Sequence, residues 1–355
     1  SEIGVWNYKP EDVIAKGRVG PGQIFAVDTE TGQILDTDAI DNRLKSRHPY
    51  KQWLRKNALR IQATLVDDQG VASYDTDQLK QYMKMFQVTF EERDQVLRPL
   101  AEQGQEAVGS MGDDTPMAVL SQRVRTPYDY FRQQFAQVTN PPIDPLREAI
   151  VMSLEICLGA ERNIFQESAE HASRVILSTP VISPAKWRSL MTLDRPGFER
   201  HFIDLNYDES VGLEAAVRNI ADQAEEAVRA GKTQLVLSDR HIAPGKLPAH
   251  AALAVGAVHH RLTECGLRCD SNILVETATA RDPHHFAVLM GFGASAIYPY
   301  LAYEVLADLI RTGEVLADLD EAFKFYRKGI SKGLLKILSK MGISTVASYR
   351  GAQLF

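Results

Sequence analysis

Cysteine is scarce in this sequence. Its 355 residues include three, Cys157, Cys265 and Cys269. An odd, low count cannot supply a disulfide framework and fits a reducing compartment, so a cytoplasmic location is expected. Cys265 and Cys269 stand four residues apart near a helix end with no second pair, so free buried thiols are expected and zinc is not. Long apolar runs are also missing. Nothing approaches the ~18 consecutive apolar residues of a membrane span. The opening Ser-Glu-Ile-Gly-Val-Trp lacks the basic segment and apolar core of a signal peptide. No charge of one sign dominates: 40 Lys and Arg stand against 46 Asp and Glu, a net −6, which argues against a nucleic-acid partner. A glycine-rich phosphate fingerprint is absent too, because Gly291-Phe292-Gly293 follows a helix instead of opening one. Ser110 and Ser121 have no histidine near them in sequence, so no nucleophile–base pair stands out.

What is present is the composition of a soluble globular protein, 45% hydrophobic and 24% charged. Its length allows two or three domains or one large one. One stretch, Val108 to Met152, has the densest punctuation. Two glycines flank Ser110-Met111, which lets the backbone reach positive φ and approach another group closely. Asp113, Asp114 and Thr115 are good N-cap types, and Pro116 suits a first helical position. Asn140-Pro141-Pro142 closes the apolar segment that follows, since proline has no N–H and restricts the residue before it. A buried, shaped loop is expected here.

Along the chain, the first 53 residues read as short strands and turns, with Gln23 to Val27 and Gln33 to Leu35 as strands about a Thr31-Gly32 hairpin turn. Asp38 to Leu54 reads as a helix. Thr76 to Phe86 and Thr89 to Gln105 have helical spacing, and so does Asp144 to Leu158, with Leu146, Ile150, Leu154 and Leu158 on one stripe. Up to about residue 195 the pattern is helical and irregular. The rhythm then changes. Strands at 202–207, 234–237, 272–275 and 296–299 alternate with helices at 212–230, 248–266, 282–291 and 302–312, which predicts βαβ units around a parallel sheet. A helix follows from Asp318 to Ser339, and Gly342 to Val346 reads as a further strand. The expected fold class is a mixed α/β chain: a β-rich N-terminal junction, a helical middle and a C-terminal βα-repeat half.

Several residues carry more than one reading. His259-His260 and His284-His285 invite a metal, but adjacent helical histidines point about 100° apart, and packing or capping explains them better. Ser238-Asp239-Arg240, Glu276-Thr277 and Arg281-Asp282 stand where strands end, the edge at which βα folds hold ligands. The competing reading makes them ion pairs that hold loops against a neighbouring domain, and it is preferred. The lysines of "SKGLLKILSK" read as a solvated helix face.

The runs "GSMGDDTPMAVLS" and "DYFRQQFAQVTNPPIDPLRE" resemble the central domain of the glutamate synthase large chain. So do "ERNIFQESAEHASRVILSTPVIS", "AVGAVHHRLTECGLRCDSNILVETATARDPHHFAVLMGFGASAIYPYLA" and "KGLLKILSKMGISTVASYRGAQLF". The resemblance covers essentially the whole chain in the family's order. It implies residues 1–55 as the tail of an amidotransferase domain, 56–317 as the central domain, and 318–355 as a linker helix and the start of an FMN barrel. The βα half would then be related to an incomplete FMN-oxidoreductase-like β/α barrel.

The resemblance also implies a role. The chain would be a piece of a polypeptide that forms glutamate from glutamine and 2-oxoglutarate, joining a glutaminase site to a synthase site and helping to wall an ammonia tunnel. No cofactor, metal or catalytic residue is expected in the chain itself, since the family's nucleophilic N-terminal cysteine is absent. FMN and a [3Fe-4S] cluster are expected in the parent chain, with FAD, NADPH and further clusters if a small subunit is present. The implied partners are the amidotransferase and FMN domains of the same chain and a small subunit, with no membrane. Met111 and Gly112 are the candidates for proximity to flavin or cluster. Ser110, Asp113, Asp114, Thr139, Asn140, Arg240, Glu276 and Arg281 are the tunnel or interdomain candidates. An exposed apolar patch is expected at Ile297 to Tyr300 and Ile343 to Phe355. The alternative is a free-standing βα enzyme that binds a small anion at its strand C-terminal ends.

Overall fold

The computed structural model describes Gly4 and residues 6–61, 74–107, 120, 122, 124–134 and 143–355. The chain divides into two compact units, Ser1–Asn57 and Ala58–Phe355.

The first unit is a hairpin followed by two helices. Strands β1 (Ala26–Val27) and β2 (Ile34–Leu35) pair antiparallel, with Ala26 opposite Leu35. The Asp28 carboxylate accepts from the backbone N–H groups of Glu30 (3.0 Å) and Thr31 (3.1 Å), an Asx turn that starts the reversal. Asp36 caps helix α1 (Thr37–Lys45) by accepting from the N–H of Ala39 at 2.8 Å. The single helix expected over Asp38 to Leu54 is two, because α2 (Tyr50–Asn57) starts afresh after Pro49. Proline disfavours helical conformation at His48 and has no N–H to continue the ladder. None of the described residues of this unit is buried.

The second unit opens with β3 (Ala58–Arg60) and α3 (Thr76–Met85), the latter closed by an Asp75–Gln78 capping box. The helix expected from Thr89 to Gln105 is one rod with a wide turn inside it: α4 (Phe90–Glu92), a π turn (Arg93–Leu97) and α5 (Arg98–Gln103). Pro99 cannot donate to the helical ladder, and the wider turn just before it absorbs the missing bond.

Asp144 to Leu158 departs from expectation. It forms a short α6 (Glu148–Val151) and then β4 (Ile156–Leu158), which pairs antiparallel with β5 (Arg174–Leu177); β5 also pairs parallel with β3. Only half of the expected apolar stripe faces a core: Leu154 and Leu158 are buried, while Leu146 is 88% and Ile150 80% exposed. Strand pairing overrides helical spacing here, and β-branched Ile156 suits the strand. The helical middle therefore also carries a three-stranded sheet.

After α7 (Pro184–Thr192) the alternation begins. It runs β6 (Arg200–Asp204), β7 (Asn206–Asp208), α8 (Leu213–Arg229), β8 (Gln234–Ser238), β9 (Lys246–Pro248), α9 (Ala251–Glu264), β10 (Asn272–Glu276), α10 (Pro283–Gly291), β11 (Ala296–Tyr298) and α11 (Tyr300–Arg311). Four strands make a parallel sheet in the order β11-β10-β8-β6. Every residue of β8, β10 and β11 is buried, as expected of a parallel sheet covered on both faces. Helix α8 lays Ala216, Ile220, Ala224 and Ala227 inward at helical spacing. The pairing places Asp204 and Glu276 on either side of Ser238, and Tyr298 beside Glu276. Polar strand ends are thereby collected at one edge. Arg200, Gln234 and Asn272 are aligned at the other.

Helix α12 (Leu319–Met341) closes the unit, capped by Asp318 at its start and by left-handed Gly342 at its end. Lys328, Lys332 and Lys336 lie on its exposed face. Gly329 and Gly333 face inward. A Cβ on Gly329 would stand 2.4 Å from a methyl of Leu100, and one on Gly333 would stand 2.5 Å from the ring of Pro283. These two positions let α5 and the start of α10 approach the helix axis closely.

Gly342 to Val346, expected as a strand, makes a single parallel bridge, Ser153 with Thr345, before α13 (Val346–Tyr349). The expected apolar patch is not formed at the first of its two named segments, and in Ile343 to Phe355 Val346 and Tyr349 are buried while Ile343 and residues 350–355 are half-buried. Ile297 to Tyr300 is interior, with Ile297 at 0% and Tyr300 at 0% exposure. The final residues dock on α10: Gly351 donates to the carbonyl of Met290 (2.9 Å), Gln353 to that of Gly291 (3.1 Å), and the Phe355 ring stacks on Phe292.

The tight α12 contacts yield a stability test. Gly333→Ala should cost about 1–3 kcal/mol, since the rigid Pro283 ring cannot step aside, and Gly329→Ala should cost less than Gly333→Ala because the Leu100 side chain can turn. Urea unfolding measures both, and an unchanged midpoint for Gly333→Ala would contradict the close approach.

Candidate functional site

The polar strand ends form one connected cluster. Glu276 ends β10 and accepts from the Ser238 hydroxyl (2.7 Å) and the Arg240 guanidinium (2.9 Å). Both charges are nearly removed from water, and the Arg240 plane also lies over the Tyr300 ring, 5.2 Å from its centre. Asp239 is fully buried and accepts from the Thr277 hydroxyl and from the N–H of Ala278 (3.0 Å). Burial dominates over these hydrogen bonds and raises the Asp239 carboxyl to about 7. Glu304 on α11 lies 3.9 Å from Arg240, which is long for an ion pair, and Arg240 already has Glu276 as its closer partner. Burial raises Glu304 to about 8, so at neutral pH it is mainly a neutral carboxylic acid.

Arg281 is fixed from every side. Its Nε donates to Glu92 of α4 (2.6 Å), and one Nη donates to the carbonyl of Ala278 (2.8 Å). Its own carbonyl accepts from the Tyr326 hydroxyl of α12 at 3.0 Å. Asp282 caps α10 through the N–H of His285 (2.9 Å). The His285 Nδ1 accepts from the N–H of Arg281 at 3.3 Å, which puts the imidazole proton on Nε2, toward Asp282. Burial lowers the pKa of His285 to about 4, so the ring is neutral. Tyr128 stacks on His285 with ring centres 4.3 Å apart, and its hydroxyl is 2.9 Å from that of Thr279.

A cavity of about 160 Å³ opens beside this cluster, lined among others by Phe86, Thr126, His250, Thr279 and Arg281. His250 Nδ1 accepts from the N–H of Ala252, while its Nε2 is buried with no hydrogen-bond partner. Burial and then the charge of Arg281 lower His250 to about 4. The cavity wall therefore combines a neutral imidazole, a hydroxyl and a cation already paired with a carboxylate.

Of the expected site residues, Arg240 and Glu276 meet in one ion pair, and Arg281 lies in the same cluster, bound to Glu92. Met111, Gly112, Ser110, Asp113, Asp114, Thr139 and Asn140 lie outside the described residues. Glu92, Glu304, Tyr128 and His250 were not legible as members of the cluster. Each comes from a separate element, and none is close in sequence to the ends of β8 and β10. Cys265 and Cys269 are free, as expected, but not buried: Cys269 is exposed and Cys265 partly so, and Cys157 is also free and exposed. Cys157 takes the outward position in the in-out-in pattern of β4. Among the described residues no three His, Cys, Asp or Glu side chains are grouped to hold a metal ion. No helix among them is long and apolar enough to cross a membrane.

The pKa of Glu304 sets a pH test. Its folded value, about 8, lies above its ordinary 4.5, so folding favours the protonated form. The stability this gives is complete below about pH 4.5 and is lost as pH rises toward 8. Glu304→Gln keeps a neutral side chain of the same shape. The variant should gain stability relative to the parent across that window, measured as the difference in urea midpoints at several pH values. A pH-independent difference would contradict the assignment.

The comparisons with known proteins agree along the whole chain. Residues 81–355 match the family described as glutamate synthase central domain, and residues 1–53 match glutamine amidotransferases class-II. The chain is 39% identical over 355 residues to the glutamate synthase [NADPH] large chain of Bacillus subtilis, and 40% identical over 369 residues to a chloroplastic ferredoxin-dependent glutamate synthase of Oryza sativa. It is 38% identical over 376 residues to the glutamate synthase [NADH] of Schizosaccharomyces pombe. In each case all of this chain is covered, but only 23%, 23% and 18% of the relative. Among solved structures, a mandelate oxidase variant with 2-hydroxy-phenylacetamide overlaps 52% of this chain and 46% of its own, at 16% identity and a TM-score of 0.31. The chain thus belongs to the glutamate synthase family and comprises its central domain, preceded by a segment of its class-II amidotransferase domain.

Proposed function

We propose that this chain is the connecting part of a glutamate synthase, joining a glutaminase site to a synthase site and contributing wall to the ammonia path between them. The observation that carries this reading is the order of the two matched regions: amidotransferase sequence at 1–53 runs into central-domain sequence at 81–355, at 37–40% identity to glutamate synthases along the full chain. The chemistry explains why such a part is needed. Ammonia released in water would protonate and diffuse away, so a closed and fairly dry path must hold it. Rigid packing serves that end, and the second unit has it: a parallel sheet whose strands β8, β10 and β11 are wholly buried, with paired charges at its strand ends.

The partners in this reading are the amidotransferase and FMN domains of the same polypeptide, and a small subunit in enzymes that use one. FMN and a [3Fe-4S] cluster belong to the parent chain, with Met111 and Gly112 near them. FAD, NADPH and further clusters belong to the small subunit. The unit Ser1–Asn57, with no buried residue among those described, is supported as a segment that packs within a larger domain. The second reading, a free-standing βα enzyme taking a small anion at Ser238 to Arg240 and Arg281, is disfavoured by pairing. Glu276 and Glu92 already occupy the two guanidinium groups.

The test uses the full-length enzyme. Met111→Ala should loosen coupling, so that more glutamine is hydrolysed per glutamate formed, and should perturb the flavin spectrum. Ammonia release, glutamate formation and absorbance are followed together. Unchanged coupling and unchanged spectra, with only a lower thermal midpoint, would make Met111 a core filler and remove it from the path.

A further inference from the structure

The opposite edge of the parallel sheet holds a second polar cavity, of about 190 Å³, lined among others by Glu161, His259, Arg268, Ser271, Asn272 and Arg350. It lies at the strand N-terminal ends, where Asn272 begins β10, and is separate from the cluster described above.

Arg268 is held in place by neutral groups alone. Its Nε donates to His259 Nδ1 (3.0 Å), one Nη to the carbonyl of Ser271 (2.8 Å) and the other to that of Gly293 (2.7 Å). Among the described residues no carboxylate pairs with it. His259 brings no charge, because burial, then Arg268, lower it to about 4. Gly293 and Gly351 fix that ring: a Cβ on Gly293 would stand 2.4 Å from Nδ1, and one on Gly351 2.9 Å from Cε1. Burial and the charge of Arg350 lower the Arg268 guanidinium to about 10. Arg350 comes from the C-terminal segment, and its only carboxylate contact among the described residues is a long 3.6 Å one to Glu161, whose side chain is 57% exposed.

Two like charges thus converge on a cavity with one loosely held carboxylate between them. The wall also offers a buried hydroxyl without a partner and a fixed amide. Ser271 is 2% exposed, and its buried hydroxyl has no hydrogen-bond partner. Asn272 Oδ1 accepts from the N–H of Gly159 (2.6 Å) and from Gln234 Nε2 (3.2 Å), which orients the amide and leaves its nitrogen as a donor. Buried polar groups are rarely left unpaired, and two cations rarely share a cavity with a single loosely held counter-charge.

We propose that this cavity binds a small doubly charged oxyanion, phosphate or a short dicarboxylate, clamped between Arg268 and Arg350 with the Ser271 hydroxyl as a further donor. Guanidinium pairs suit such planar, bidentate recognition. The exposed Glu161 side chain swings aside to admit it. Because Arg350 belongs to the C-terminal segment and Arg268 to the turn that leads from α9 into β10, the bound anion ties the one to the other.

The experiment is thermal unfolding of the 355-residue chain at constant ionic strength, with inorganic phosphate, malonate or chloride. The midpoint should rise with phosphate or malonate concentration beyond the chloride control, by mass action on the folded state. A rise with phosphate alone assigns the site to phosphate-type anions, and a rise with malonate alone to dicarboxylates. Arg350→Gln should weaken binding about tenfold or more, and Ser271→Ala should weaken it less, as expected for a charged and a neutral hydrogen bond. Neither side chain bonds the core, so both variants should fold even if Arg268→Gln does not. Midpoints that follow chloride for both anions would overturn the proposal, and so would an Arg350→Gln chain that keeps the full shift.

Discussion

The register between β8 and β10 is the constraint on which the rest depends. Ser238 stands beside Glu276 only because Leu235 pairs with Ile273 and Leu237 with Val275. A slip of one residue would reverse every side chain of the strand and send the apolar residues of one face to the other. Both strands are buried on both faces, so their packing specifies the register strongly. The same alignment sets both edges. At one, Ser238, Glu276 and Arg240 close into a paired cluster; at the other, Gln234 and Asn272 lie side by side and share a hydrogen bond.

Charge burial explains why the paired edge acts as a clamp. A buried guanidinium without a carboxylate is costly, and removing one partner from such a pair is strongly destabilising. Glu92 and Arg281 join the helical rod to the βα half, and Arg93, one residue on, pairs with Glu314 beyond α11 at 2.7 Å. Adjacent residues thus hold two different elements. The π turn that accommodates Pro99 begins at Arg93. An irregularity forced by one proline sits where a helix bonds two neighbours at once.

The legible part of the fold was the part whose pattern is local. The βα alternation after residue 195 showed in its continuous apolar runs and its N-caps, and Asp282, Asp318 and Thr89 cap as their types predict. What escaped was non-local. Ile156 to Leu158 becomes a strand because β5 lies beside it, and no spacing within 144–158 announces that partner. Pro49, in contrast, is a local signal, and it divides the helix expected there. The site shows the same division. Ser238, Arg240, Glu276 and Arg281 could be found because strand ends are recognisable. Glu92 and Glu304 could not, because the partner of Glu92 lies 189 residues away and Glu304, on α11, meets Arg240 from the end of β8 only through the tertiary fold.

The two sheet edges carry similar side chains and reach opposite electrostatic outcomes. At the strand C-terminal ends, arginines meet acids: Glu276 takes Arg240, Glu92 takes Arg281, and the surplus acids Asp239 and Glu304 are pushed toward their neutral forms by burial. That edge has satisfied its cations internally, which locks the strand ends to the elements around them. At the N-terminal ends, Arg268 is bonded by carbonyls and a neutral imidazole, which orient it and leave its charge uncompensated. Carbonyl oxygens satisfy the geometry of a guanidinium but carry no net charge, so the field of Arg268 and Arg350 persists in the cavity between them. The usual expectation for a βα sheet places ligands at the C-terminal edge. Here the charge accounting reverses it: the edge that looks like a ligand site is closed by its own ion pairs, and the opposite edge is the one left with positive charge to share.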